Sequence, residues 1–159
     1  MVKKYFSILS LVLMAMCCNV VFTSCGDDDD DEKVVEEKRN DLVGTWERIV
    51  DGDCREVWIF YADGKYLEKD QDLEKDSSVT YYDEDLTYSQ SKGYYNVVNG
   101  TLNMEQTHEW NPESEVMDWE ESSVKGSFSY EIVDGNTLKI TGTNPETGKV
   151  EILTYTRVK

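Results

Sequence analysis

Asp70, Asp72, Glu74 and Asp76 put a carboxylate at every second position of one short stretch, the pattern by which loops hold a hard cation such as calcium. The rest of that motif is missing. Lys75 stands where a calcium loop needs glycine, and Tyr81 stands where it needs a bidentate glutamate. A solvated acidic loop is the expectation, and no metal site is assigned. His108 is the single histidine, in Thr107-His108-Glu109-Trp110, and no Gly-x-Ser-x-Gly turn, phosphate-cradling loop or Cys-His arrangement accompanies it. Glycoside hydrolysis needs two carboxylates at a defined separation, and with 33 acidic residues such pairs mean nothing without geometry. The chain is read as non-enzymatic, with no cofactor. What it has in excess is aromatic surface: Trp58, Phe60, Tyr66, Tyr81, Tyr82, Tyr88, Tyr94, Tyr95, Trp110 and Trp119, rings that suit cavities and binding surfaces.

The elements that must position these rings are strands. From Leu42 onward, turn-forming pairs separate β-branched and aromatic runs: Asp51-Gly52, Asp63-Gly64, Asn99-Gly100, Asp134-Gly135-Asn136 and Asn144-Pro145-Glu146-Thr147-Gly148. Strands are expected over about 43–50, 55–61, 65–70, 79–88, 93–98, 101–107, 124–133, 137–142 and 149–158, with one of them irregular or split. Residues 70–92 and 107–123 are the least regular parts and are expected to form loops at one end. Leu102 and Met104, Phe128, Tyr130 and Ile132, Leu138 and Ile140, then Leu153 and Tyr155 alternate with polar residues and should form the core. An antiparallel meander leaves two open edges, and closing the sheet removes both, so an all-β, antiparallel up-and-down barrel of about eight strands is predicted. A two-sheet sandwich of the same strands is the alternative.

Gly44 and Trp46 lie two apart on the first strand and so face one side, and Arg157 lies on the last strand. A Gly-x-Trp on the first strand with a terminal Arg resembles the lipocalin-like proteins of the calycin group. The resemblance implies that the Arg157 side chain lies across the Trp46 indole and closes one end of the barrel. It spans about residues 42 to 159 and implies a fold more strongly than a ligand. The first hairpin is closed by only Asp51-Gly52-Asp53-Cys54, with no long lid loop, and this argues against a deep, covered cavity.

Residues 1–24 read as a secretory signal peptide: Lys3 and Lys4, an apolar run from Phe6 to Met16, then Asn19, Thr23 and Ser24. Phe22-Thr23-Ser24-Cys25 resembles the lipobox of bacterial lipoproteins, with Phe22 in place of the usual Leu, which implies cleavage before Cys25 and lipid attachment to its sulfur. Residues 25–41 then form the lipidated cysteine and an acidic tether, Asp27 to Asp31 and Glu32 among them, too charged to bury a core. An acidic run directly after such a cysteine resembles the surface-export signal of some Gram-negative lipoproteins, which implies an outer-membrane, cell-surface location. A periplasm-facing spacer is the alternative. With Cys17 and Cys18 in the signal and Cys25 acylated, Cys54 is left with no disulfide partner and is expected as a buried filler.

Losing Lys3 and Lys4 would carry the net charge from −17 to −19. No basic groove for nucleic acid can be built on that balance, and membrane attachment would have to come from the lipid anchor alone. Two functions remain. In one, the domain over 42–159 binds a small apolar or amphipathic ligand at the barrel mouth, with Trp58, Tyr66, Tyr95 and Trp110 as candidate lining. In the other, the barrel is filled, and its acidic, aromatic surface contacts a protein or glycan partner. The anchor has its own test. Cells expressing Cys25→Ala should show the protein shifted out of the membrane fraction, and equal membrane retention of variant and parent would remove the anchor.

Overall fold

A computed structural model describes residues 41–73, 87–115, 118–144 and 147–159. The expected signal peptide, Cys25 and most of the expected tether lie outside these residues, as do Glu74, Asp76 and most of the strand expected over 79–88. Thr87 and Tyr88, at its end, form a turn and a bend.

The described chain is a closed antiparallel barrel of eight strands in sequential order. These are β1 (Gly44–Val50), β2 (Cys54–Phe60), β3 (Lys65–Asp72), β4 (Ser89–Val98), β5 (Thr101–Trp110), β6 (Glu120–Val133), β7 (Thr137–Thr143) and β8 (Val150–Arg157). Each strand pairs with its sequence neighbour, and β8 returns to β1. The tightest connection is Asn99-Gly100, where both residues adopt positive φ, 50° and 73°, as a two-residue hairpin with the right-handed twist of its strands requires.

Chain direction divides the barrel into two ends. The β2–β3, β4–β5 and β6–β7 hairpins gather at one end with residues 41–43 and the C-terminus. The other end carries the β1–β2 turn and the connections after β3, β5 and β7. Alternation turns Trp46, Trp58, Phe60, Tyr66, Tyr95, Val97, Leu102, Met104, Phe128, Leu138, Ile140 and Tyr155 inward, where they join Leu42 in one buried cluster. Tyr130, Ile132 and Leu153 pack against it while remaining partly exposed. Burying one such side chain contributes roughly 1.5–3 kcal/mol, so this stack is the main favourable contribution to folding.

The outer face of β2 and β3 is also covered. Val57, Ile59 and Leu67 form a second apolar cluster against which Trp119 packs. This explains why β2 and β3 are buried along both faces, whereas β6 and β8 alternate more openly.

The β4–β5 ladder shifts register between Lys92 and Gly93. A Cβ on Gly93 would stand 1.9 Å from the Glu105 carbonyl oxygen, and that obstacle is backbone that cannot swing aside. A Cβ on Gly142 would meet only the Phe128 ring edge, at 3.1 Å. Gly93→Ala should therefore cost about 3 kcal/mol or more in urea unfolding, at or beyond the upper end for overpacking, and Gly142→Ala visibly less. Equal, small losses at both positions would show that the β4–β5 backbones do not approach as described.

Candidate functional site

The two ends of the barrel interior differ in chemistry. At the hairpin end, the Arg157 guanidinium lies 4.0 Å from the Trp46 ring centroid. It also donates from Nε to the Gly135 carbonyl at 2.8 Å, from Nη1 to the Val43 carbonyl at 2.8 Å and from Nη2 to the Asp41 carbonyl at 2.7 Å. Gly44 makes room for it: the φ is 134°, and a Cβ there would stand 2.7 Å from Arg157 Nη1. Trp46 is wholly buried, and its Nε1 donates to the Leu42 carbonyl at 2.8 Å. This end is shut by side chains.

Toward the other end the inward positions become charged. Arg48, two residues beyond Trp46, donates from Nε to Glu56 Oε2 at 2.7 Å and pairs with the same oxygen through Nη2. Glu56 Oε1 accepts from Trp58 Nε1 at 2.8 Å and from the Tyr155 hydroxyl at 2.5 Å. Arg48 also stands 5.3 Å from the centroid of the Tyr155 ring. On β3, Glu68 is buried and accepts from Ser91 Oγ at 2.7 Å. Asp70, directly across from Glu56 in the ladder, is partly exposed.

Burial, and then the neighbouring Glu68 and Glu56, hold the Asp70 carboxyl well above the usual carboxylate range, with Arg48 opposing. Burial, and then Glu56, likewise raise the Tyr155 hydroxyl, so it stays a donor at neutral pH. Burial, followed by Asp70, Glu56 and Asp53, pushes the Cys54 thiol up to about 12, which makes this free, buried cysteine a poor nucleophile.

Across the interior from these acids the wall is apolar. Val124 and Gly126 on β6, Gly142 on β7 and Leu153 on β8 face inward by register, and all are only partly buried. By register, then, charged and apolar inward positions lie on different strands of this half of the barrel. Beside it the barrel seam is short. β1 meets β8 through Trp46 with Arg157 and Glu47 with Thr156, so β1 from Arg48 onward and β8 up to Tyr155 have no ladder partner across the seam. Outside that seam Ile49, Val150 and Ile152 are 50%, 67% and 63% exposed.

The four aromatic residues expected to line the mouth are not brought together. Trp58 and Tyr66 are, with ring centroids 6.1 Å apart and planes at 19°, and both border the polar floor. Tyr95 faces inward but toward the shut end, edge-on to Phe60 at 4.9 Å, with its hydroxyl donating to the Tyr61 carbonyl at 2.8 Å. Trp110 lies on the outer face and must be removed from the lining. It pairs in register with Gln90, whose side points away from the interior, and its ring meets Trp119 at 6.2 Å, with Lys92 Nζ 3.7 Å over Trp119. The register shift in β5 between Gln106 and His108 is what turns Trp110 outward. His108 contacts the Thr107 hydroxyl at 2.9 Å.

Asp70 and Asp72 belong to β3 and not to a loop. Among the described residues, no three of His, Cys, Asp and Glu are grouped to hold a metal ion. Sequence reasoning passed over Arg48, Glu56, Glu68 and Tyr155 as a charged cluster. The available signal was spacing: each charged residue stands two positions from an inward aromatic, Trp46, Trp58 or Tyr66. Comparison with models of protein families finds no match to this chain, and comparison with curated proteins finds none either.

The raised Asp70 has a consequence for stability. Its folded-state proton is held more tightly than in the unfolded chain, so stability is lost as pH rises from the ordinary carboxylate range through the folded value. Asp70→Asn removes that loss. Its urea midpoint should exceed the parent's at pH 7, and the gap should shrink toward pH 4. A variant less stable than the parent at pH 7 would mean that ionised Asp70 is well solvated or paired.

Proposed function

We propose that this protein is a lipid-anchored, exported, lipocalin-like module that binds a small apolar or amphipathic molecule, the amphipathic kind favoured, at the barrel mouth away from Trp46 and Arg157, without catalysis. The observation that carries the reading is a division of the inward positions: partly exposed Val124, Gly126, Gly142 and Leu153 on β6, β7 and β8, against buried Glu56 and Glu68 and partly buried Arg48 on β1, β2 and β3. A site with one apolar and one charged side selects a molecule with both. The short β1–β8 seam, flanked outside by Ile49 and Ile152, supplies a route for such a molecule past apolar surface to polar groups. The anchor at Cys25 and an outer-membrane, surface-facing location rest on the sequence of the first 41 residues.

A second reading keeps its own support. Met104, Phe128, Tyr130 and Leu153 all face inward and fill much of the barrel, and Tyr94 is 55% exposed. A filled barrel would act through its surface, on a protein or glycan partner.

The two readings separate in a ligand screen on the Cys25→Ala protein, read by Trp emission and melting temperature. Fatty acids, fatty amines, sterols, bile-acid-like amphiphiles and haem form one set, and oligosaccharides the other. A saturable response to an amphiphile, abolished by Leu153→Trp, is expected, because ligand bound to the native state alone raises its melting temperature. A saturable response to an oligosaccharide alone would favour the filled barrel and overturn the amphiphile site.

A further inference from the structure

We propose that the outer face of β4, β5 and β6, near the shut end, is a docking platform for a neutral oligosaccharide, on which the Tyr94 ring stacks against a sugar and the Asn96–Asn103–Ser127 row holds its hydroxyls. The proposal rests on the surface reading above for its class of partner, and not on the state of the barrel mouth.

Among the described residues, the exposed large apolar side chains fall into two groups. Ile49, Val150 and Ile152 flank the seam, and Tyr61, Tyr94 and Val98, 38%, 55% and 38% exposed, are the others. Tyr94 and Val98 share the outer face of β4 with Asn96 between them, because inward Tyr95 and Val97 alternate with them. The Tyr61 amide donates to the Lys65 carbonyl at 2.9 Å, and Lys65 pairs with Tyr94 in the next ladder. Tyr61 and Tyr94 thus lie on one row, two strand spacings or roughly 10 Å apart, a distance that adjoining sugars of a glycan chain can span.

The polar row beside Tyr94 is built in advance. Asn96 pairs in register with Asn103, and Asn103 with Ser127. Their side chains are joined: Ser127 Oγ donates to Asn103 Oδ1 at 2.7 Å, and Asn103 Nδ2 donates to Asn96 Oδ1 at 3.1 Å. Asn96 and Ser127 are exposed and Asn103 partly so. Among the described residues, both N–H groups of Asn96, the second N–H of Asn103 and the lone pairs of Ser127 Oγ keep no protein partner. Groups that hold one another at strand spacing lose little freedom when a ligand takes their remaining valences. The ladders here are regular, since the register shifts of β4 and β5 fall at Lys92/Gly93 and Gln106/His108, beyond these rows.

The chemistry of the face fits a sugar. A sugar ring has an apolar face of C–H groups and a rim of hydroxyls that both donate and accept, and a phenol ring beside a row of amides and a hydroxyl matches both. Charge narrows the class. The chain carries −17 overall, yet the Asn96 row is uncharged, and the lysines beside Tyr94 are neutralised locally, Lys125 by Glu105 at 3.1 Å and Lys65 by Asp63 at 2.8 Å. An anionic glycan would approach a strongly negative chain with both of these lysines already paired. A stable protein interface buries an apolar centre, whereas here an amide separates the ring of Tyr94 from the aliphatic Val98.

Calorimetric titration of the Cys25→Ala protein with cellohexaose, maltohexaose, mannohexaose and xylohexaose, and with oligogalacturonate as the anionic contrast, tests the platform. At least one neutral chain should bind saturably and more tightly than oligogalacturonate. Tyr94→Ala and Asn103→Ala, at solvent-facing positions, should keep the parent melting temperature while each weakens that binding about tenfold. Tyr94→Phe, which keeps the ring, should bind nearly as the parent does, and Leu153→Trp, inside the mouth, should change nothing. Neutral-glycan binding that survives Tyr94→Ala would overturn the platform, and binding abolished by Leu153→Trp would move the sugar to the mouth. A response to oligogalacturonate alone, or to no glycan, would also overturn it while leaving an amphiphile response at the mouth standing. A dimer in sedimentation that Tyr94→Ala dissolves would assign the face to a second copy of the chain instead.

Discussion

Closure of this barrel depends on one guanidinium. Arg157 stacks on the Trp46 indole while its three donors reach carbonyls on either side, Asp41 and Val43 before β1 and Gly135 in the β6–β7 hairpin. The ladder it completes is short, so the seam would be weak without it. The Arg157 and Val158 amides add bonds to the Asn136 and Thr45 carbonyls, at 2.8 and 2.9 Å, in the same few residues. Cation–π attraction contributes about 0.5–2 kcal/mol, and charge-assisted hydrogen bonds typically contribute more than neutral ones. Gly44 is the price of this arrangement: no other residue leaves space for Arg157 Nη1 at a φ of 134°.

The Trp46–Arg157 closure belongs to one end, and the other carries different chemistry. There, inward positions that could have been apolar carry Arg48, Glu56, Glu68 and Asp70, groups costly to bury and poor contributors to stability. Such a local conflict with good packing is expected at a binding site and is unexplained by folding alone. The same division accounts for the seam, tight at Trp46 and Arg157 and unpaired beyond Glu47. Among the described residues, the barrel holds its shape through the plugged half and keeps polar chemistry in the other.

Much of the barrel was legible because turn chemistry is local. Asn99-Gly100 and Asp134-Gly135 fix hairpins by backbone preference alone, and the alternation of Leu138, Ile140, Leu153 and Tyr155 fixes which face is buried. The extent of β4 was not legible. Ser89 to Lys92 reads as polar loop, and these residues join the sheet because β3 and β5 both extend beyond their apolar runs to pair with them. Trp110 illustrates a second limit. Its face depends on a one-residue register shift in β5, and a shift of one residue reverses every side chain beyond it. The charged floor was missed for a different reason. A buried Glu56 is explained only by its partners, and Arg48, Trp58 and Tyr155 come from three strands, the last 99 residues away in sequence.

The closing interaction is most directly tested by a double-mutant cycle between Trp46 and Arg157. Trp46→Leu, Arg157→Met and the double variant would be compared with the parent by urea unfolding at constant pH and salt. Guanidinium and indole acting together predict a coupling of about 1–2 kcal/mol, with the double variant less destabilised than the two losses added. Losses that add within about 0.5 kcal/mol would show that Arg157 and Trp46 act separately and that the barrel is closed by something else.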